Sequence, residues 1–169
     1  LSTNSEINSA VCLKASLLRK TGDFNGASQT ISKILANDPL DFRACYEHYL
    51  ILKEIKKDRE AEKALSEMMI KMRDFDQNYL ELGVSYLNDG FSDEAEEVLK
   101  CYRGSNPEIL YFLGYIEDKK GNKSESEKLF MAGSVLPVDY VIPYRLEEVS
   151  VLRLASAYLP GEAKPWYYL

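Results

Sequence analysis

The stretch YLELGVSYLNDGFSDEAEEVLKCYRGSNP, residues 79 to 107, decides the fold. Tyr79, Leu82 and Tyr86 recur at steps of three and four around Gly83. Asn88-Asp89-Gly90 interrupts them, Ala95 and Leu99 resume the step, and Pro107 closes the unit. Apolar residues at such steps mark amphipathic helices, and Asn, Asp or Gly between them supplies the left-handed conformation that ends a helix. The stretch therefore predicts two helices joined by a tight turn. Gly83 and Ala95 are small where the helices would cross, so the backbones can approach, and Tyr79, Leu82, Tyr86 and Leu99 fill the space around the crossing.

The layout recurs at a fixed period. Ala27, Ala61 and Ala95 stand 34 residues apart, Pro39 and Pro107 twice that, and Leu82-Gly83 returns as Leu113-Gly114 after 31. The predicted turns are Thr21-Gly22-Asp23, Lys57-Asp58, Asn88-Asp89-Gly90 and Lys120-Gly121-Asn122. Ser92 and Ser124 are placed as N-caps, Ser124 with Glu127 as a capping box. Repeats are expected at about 8–41, 42–75, 76–106 and 107–136. This pattern resembles the tetratricopeptide (TPR) repeat, with Tyr79 in place of the Trp of W-x₂-L-G-x₂-Y. Lys14, His48-Tyr49, Glu117 and Ser126 depart from it, and the bulk of His48-Tyr49 should widen the second crossing. The resemblance implies an all-α, TPR-like α-α superhelix, a right-handed solenoid read as one domain over 1–169. It also implies a non-catalytic interaction or scaffolding role.

Beyond residue 136 the rhythm breaks. Pro137 and Pro143 forbid a continuous helix, so 137–143 is read as an extended insert. Either Tyr140 and Ile142 plug the place of a missing first helix, or the insert reaches into a groove or docks on another domain. A helix over 144–157 is expected in a second-helix slot, with Leu146, Val149, Leu152 and Ala155 on one stripe. A partial repeat follows at 163–169, with Trp166 at the aromatic position and an apolar end that would permit end-to-end self-association. The block Asp139 to Glu148, with Trp166 to Leu169 and Asn37 to Ala44, also resembles the TPR-containing C-terminal region of bacterial proteins that carry a mutarotase-like β-sandwich domain of unknown function. That likeness implies an accessory region of a carbohydrate-active or sugar-recognising protein whose chemistry lies outside these residues.

Composition narrows the partners. The 169 residues carry 21 Lys and Arg against 27 Asp and Glu, a net charge of −6 that gives no basic excess for a phosphate backbone. Nucleic acid and membrane are not expected partners. Cys12, Cys45 and Cys101 lie far apart and His48 is the sole histidine, so no zinc spacing exists, and no metal or cofactor is expected. The odd cysteine count suits a reducing compartment, and nothing else assigns a location. Neighbouring acids, Glu147-Glu148 and Glu94, Glu96 and Glu97, are read as solvated helix faces, and His48 as a core residue.

The expected partner is a protein or peptide, another domain of the parent chain included, held in a concave groove lined by first helices. The groove candidates are Arg43, Tyr46, Leu50, Leu80, Val84, Leu87, Tyr111 and Tyr115, since Tyr and Arg supply affinity from few rotatable bonds. The family's carboxylate-gripping positions fall on Cys12, Ser16, Glu47, Gln77 and Glu81. None is basic, so capture of a C-terminal carboxylate is disfavoured, and Glu47 with Glu81 favours a neutral or basic ligand.

Overall fold

The computed structural model describes residues 2–137 and 141–169, leaving aside the side chains of 2–7. Those residues form only helices and connections: α1 (Ser2–Lys20), α2 (Phe24–Asn37), α3 (Phe42–Glu54), α4 (Asp58–Met72), α5 (Asp76–Asn88), α6 (Ser92–Lys100), α7 (Pro107–Lys119), α8 (Lys123–Val135), α9 (Leu146–Tyr158) and α10 (Ala163–Tyr168). Consecutive helices pair as α1/α2, α3/α4, α5/α6 and α7/α8, which are the tandem hairpins of a TPR-like all-α fold. The chain divides into two compact units, 1–74 and 75–169, where the sequence reads one continuous solenoid.

The turns follow the repeat. Gly22, Gly90 and Gly121 all take positive φ, at +85°, +82° and +86°. At the same place in the second hairpin Lys56 adopts φ 59°, a conformation that costs an L-residue with a side chain. The serine caps do not form. α6 begins at Ser92 itself after Phe91, and α8 begins one residue before Ser124 after Asn122, neither with a side-chain cap. Effective caps come instead from Asp23, Asp41 and Asn106, whose side chains accept from the N–H groups of Gly26, Ala44 and Glu108.

The crossings are tight where the sequence supplies glycine. A Cβ on Gly83 would stand 2.7 Å from Leu99 Cδ2, and one on Gly114 would stand 2.6 Å from Phe130 Cε1. Tyr79, Leu82, Tyr86 and Leu99 are buried around the first of these. In the second hairpin Tyr49 takes the small-residue position. Its partner Leu65 is only half-buried, whereas the equivalent Ile31, Leu99 and Phe130 are buried. A separate cavity of about 110 Å³ lies among α2, α3 and α4, lined by Leu35, Cys45, Met68 and the half-buried His48. Burial holds the His48 imidazole below its ordinary pKa, so it is uncharged at neutral pH.

After α8 the chain departs from the expectation. Tyr140 lies outside the described residues, and Ile142 is 72 % exposed, so it plugs nothing. α9 runs beside α7 in the same direction: Glu148 near its start faces Glu108 at the start of α7, and Tyr158 at its end donates to Asp118 near the end of α7. It therefore occupies a first-helix position, not a second-helix slot. Its buried face is Glu148, Val151, Leu152, Ala155 and Ser156, whereas Leu146 and Val149 of the predicted stripe are exposed. Glu148 can be buried because its carboxylate accepts from the Arg145 backbone N–H at 2.7 Å and pairs with the Arg145 guanidinium at 2.9 Å. Glu94 is buried as well, so neither acidic run is wholly a solvated face. Tyr168 packs edge-on against Tyr111, while Trp166, Tyr167 and Leu169 are exposed.

Candidate functional site

The eight groove candidates separate by burial. Tyr46, Leu50, Leu80, Val84 and Tyr111 are buried, because aromatic and aliphatic side chains on the inner face of a first helix are covered by the helices packed beside it. They cannot be offered as surface contacts. Arg43, Leu87 and Tyr115 are half-exposed. Arg43 belongs to the first unit, where it donates to Ser16 Oγ at 3.2 Å.

The positions that the repeat resemblance assigns to gripping a carboxylate are engaged within this chain. Glu47 accepts from Ser16 Oγ at 2.6 Å and from Arg19 Nε at 2.9 Å, with both charged side chains almost wholly buried. Cys12 is buried beside Asp41, and burial with that negative neighbour pushes its thiol up to about 12, leaving it protonated and inert. In the second unit Gln77 accepts from Arg145 at 2.7 Å, and Glu81 accepts from the Tyr144 hydroxyl at 3.1 Å. The groups these residues hold are internal.

Leu87 and Tyr115 do come together. They line a half-open cavity of about 260 Å³ on the first-helix face of α5 and α7, walled on its far side by α9. Its apolar surface comes from Leu87, Phe112, Ile116 and Val151. Tyr115, Lys119, Glu147 and Ser150 supply its polar groups. Asn88 donates to Glu147 at 2.8 Å, which ties the end of α5 to the start of α9 and holds the Glu147 carboxyl below its usual range. Lys119 Nζ lies 5.1 Å over the Tyr115 ring, fixing that ring at the rim. The α9 wall was not foreseen from sequence. The signal that could have found it is Arg145, a lone cation just before a helix and opposite the acids of α5.

Among the described residues no cluster of three His, Cys, Asp or Glu could hold a metal, and no helix is long and apolar enough to cross a membrane.

No family model matches this chain, and no curated protein matches it. Solved structures do. It is similar to a chain titled crystal structure of MamA protein, at 15% identity and TM-score 0.41 over 95% of this chain and 87% of that one. A second MamA crystal structure aligns at 16% identity and TM-score 0.41 over 91% and 89%. TTC0263, described as a thermophilic TPR protein in Thermus thermophilus, aligns at 16% and TM-score 0.39 over 95% and 85%. At these values the likeness says nothing of what the chain binds.

Proposed function

We propose that this chain is a non-catalytic partner-binding module, and that the cavity between α5, α7 and α9 takes one apolar anchoring side chain of a protein or peptide. The observation that carries this is the cavity itself, which is lined by two half-exposed first-helix candidates, Leu87 and Tyr115. Its volume of about 260 Å³ falls below the roughly 300–1,000 Å³ of sites that enclose a whole small molecule, which favours one side chain over a free metabolite. A buried anchor surrounded by a polar rim is the usual arrangement of an interface hot spot. Lys119 and Glu147 give the rim one charge of each sign, so the residues flanking the anchor can be polar without being repelled as a set.

The test is selection of peptides from a displayed random library against the full chain. A recovered peptide is then titrated by fluorescence anisotropy against the wild type, Leu87→Arg, Tyr115→Ala and a control, Leu17→Arg, on the exposed face of α1. Both cavity variants should weaken binding tenfold or more, and the control should leave it unchanged. Equal binding by all four would end the proposal.

A further inference from the structure

Beneath α9 lies a seam in which buried polar atoms have no hydrogen-bond partner among the described residues: both carboxyl oxygens of Glu108 and the hydroxyls of Tyr111 and Tyr168. Glu108, Tyr111 and Phe112 of α7 form one wall of the seam. Glu148, Val151 and Leu152 of α9 form the other, and the gap leaves no space for a water molecule. An ionised carboxylate in such a place has no solvent and no close pair of donors to stabilise it.

The surrounding charges do not rescue it. From α9 the seam receives Glu148 and Arg145, from α5 Asp76, from the residue capping α7 Asn106, and from α10 the Tyr168 phenol. Arg145 is the one cation in that set, and its guanidinium is already held by Glu148 at 2.9 Å and Gln77 at 2.7 Å. Burial above all, and then the Glu148 and Asp76 charges, push Glu108 up to about 7, against the opposing pull of Arg145 and Asn106.

We propose that α9 is a proton-controlled cover on α7, which docks when Glu108 is protonated and loosens when Glu108 ionises. Val151 and Glu147 of α9 wall the 260 Å³ cavity, so loosening the cover takes that cavity apart. The consequence for partner capture rests on the binding role proposed above; the docking of α9 does not. Glu108 holds its proton more tightly with α9 docked than in water. Docking is therefore at full strength below the ordinary carboxyl range and weakens as pH rises toward about 7. Above that value it levels off.

Hydrogen–deuterium exchange of the full chain at pH 6 and pH 8, corrected for the intrinsic pH dependence of amide exchange, reads this without any partner. Residues 146–158 should lose roughly tenfold in protection between the two, with α3 unchanged as the internal reference. In Glu108→Gln the α9 protection should be the same at both pH values. The proposal is overturned if wild-type α9 is equally protected at pH 6 and pH 8, or if Glu108→Gln keeps the wild-type response. Should that variant fail to fold by circular dichroism, a carbon-13 NMR titration of the wild-type glutamate side chains decides the matter. A Glu108 midpoint near 7 sustains the proposal, and a midpoint in the ordinary carboxylate range overturns it.

Discussion

Glu47 in the first compact unit and Glu108 in the second are both buried glutamates on the first helix of a hairpin, and their surroundings are opposite. Glu47 is surrounded by donors: Ser16 at 2.6 Å and Arg19 Nε at 2.9 Å. Glu108 has no such pair of donors on its carboxyl oxygens, only the weaker pull of Asn106 and Arg145, and faces Glu148 across a dry seam. Burial alone therefore does not say whether an acid holds a structure together. The donors do. A satisfied buried carboxylate fixes α1 to α3, while an unsatisfied one makes the attachment of α9 conditional on a proton.

The contrast can be broken most forcefully at its paired end. Glu47→Ala removes the buried carboxylate that pairs with Arg19 Nε at 2.9 Å, leaving Glu54 at 4.0 Å, and should cost about 3–5 kcal/mol in urea unfolding of the first unit. Replacing both partners together, Arg19→Met with Glu47→Leu, should recover most of that loss. A Glu47→Ala variant as stable as wild type would show that the ion pair does not hold α1 to α3. Next in size, Gly83→Val places side-chain carbons where Leu99 already stands and should cost about 1–3 kcal/mol in the second unit by thermal unfolding.

At the unpaired end the sign reverses. Because Glu108 is raised in the folded state, stability falls as pH rises from the ordinary carboxyl range to about 7 and stays lower above it. Glu108→Gln should thus stabilise the second unit at pH 8 by about 1–3 kcal/mol and change it little at pH 5. Destabilisation at both values would place Glu108 with Glu47 and erase the distinction. The smallest expected effect concerns the turn between α3 and α4. Lys56→Gly relieves a left-handed conformation and should add about 1 kcal/mol to the first unit, measured by the urea midpoint.

The hairpins were legible because their determinants are local. Glycines at 22, 90 and 121 mark turns, and the spacing of Gly83 from Leu99 and of Gly114 from Phe130 sets the crossings. At Tyr49 the bulk at a small-residue position could be read, and Leu65 is less buried than its equivalents. The helices at 146–158 and 163–168 were legible, but the placement of α9 was not. Its position depends on Arg145 reaching Gln77, 68 residues earlier, and on Glu148 being shielded by that arginine, which no periodic pattern encodes. The same limit applied to the binding face. Repeat positions name which residues face inward on a first helix, but they do not tell a half-exposed residue such as Tyr115 from a buried one such as Tyr111.

The most direct test is a crystal structure of the full chain with a selected peptide, grown below pH 7 so that α9 is docked. The account predicts one apolar side chain of the peptide seated among Leu87, Phe112, Tyr115, Ile116 and Val151. A peptide bound elsewhere, with that cavity unoccupied, would contradict it.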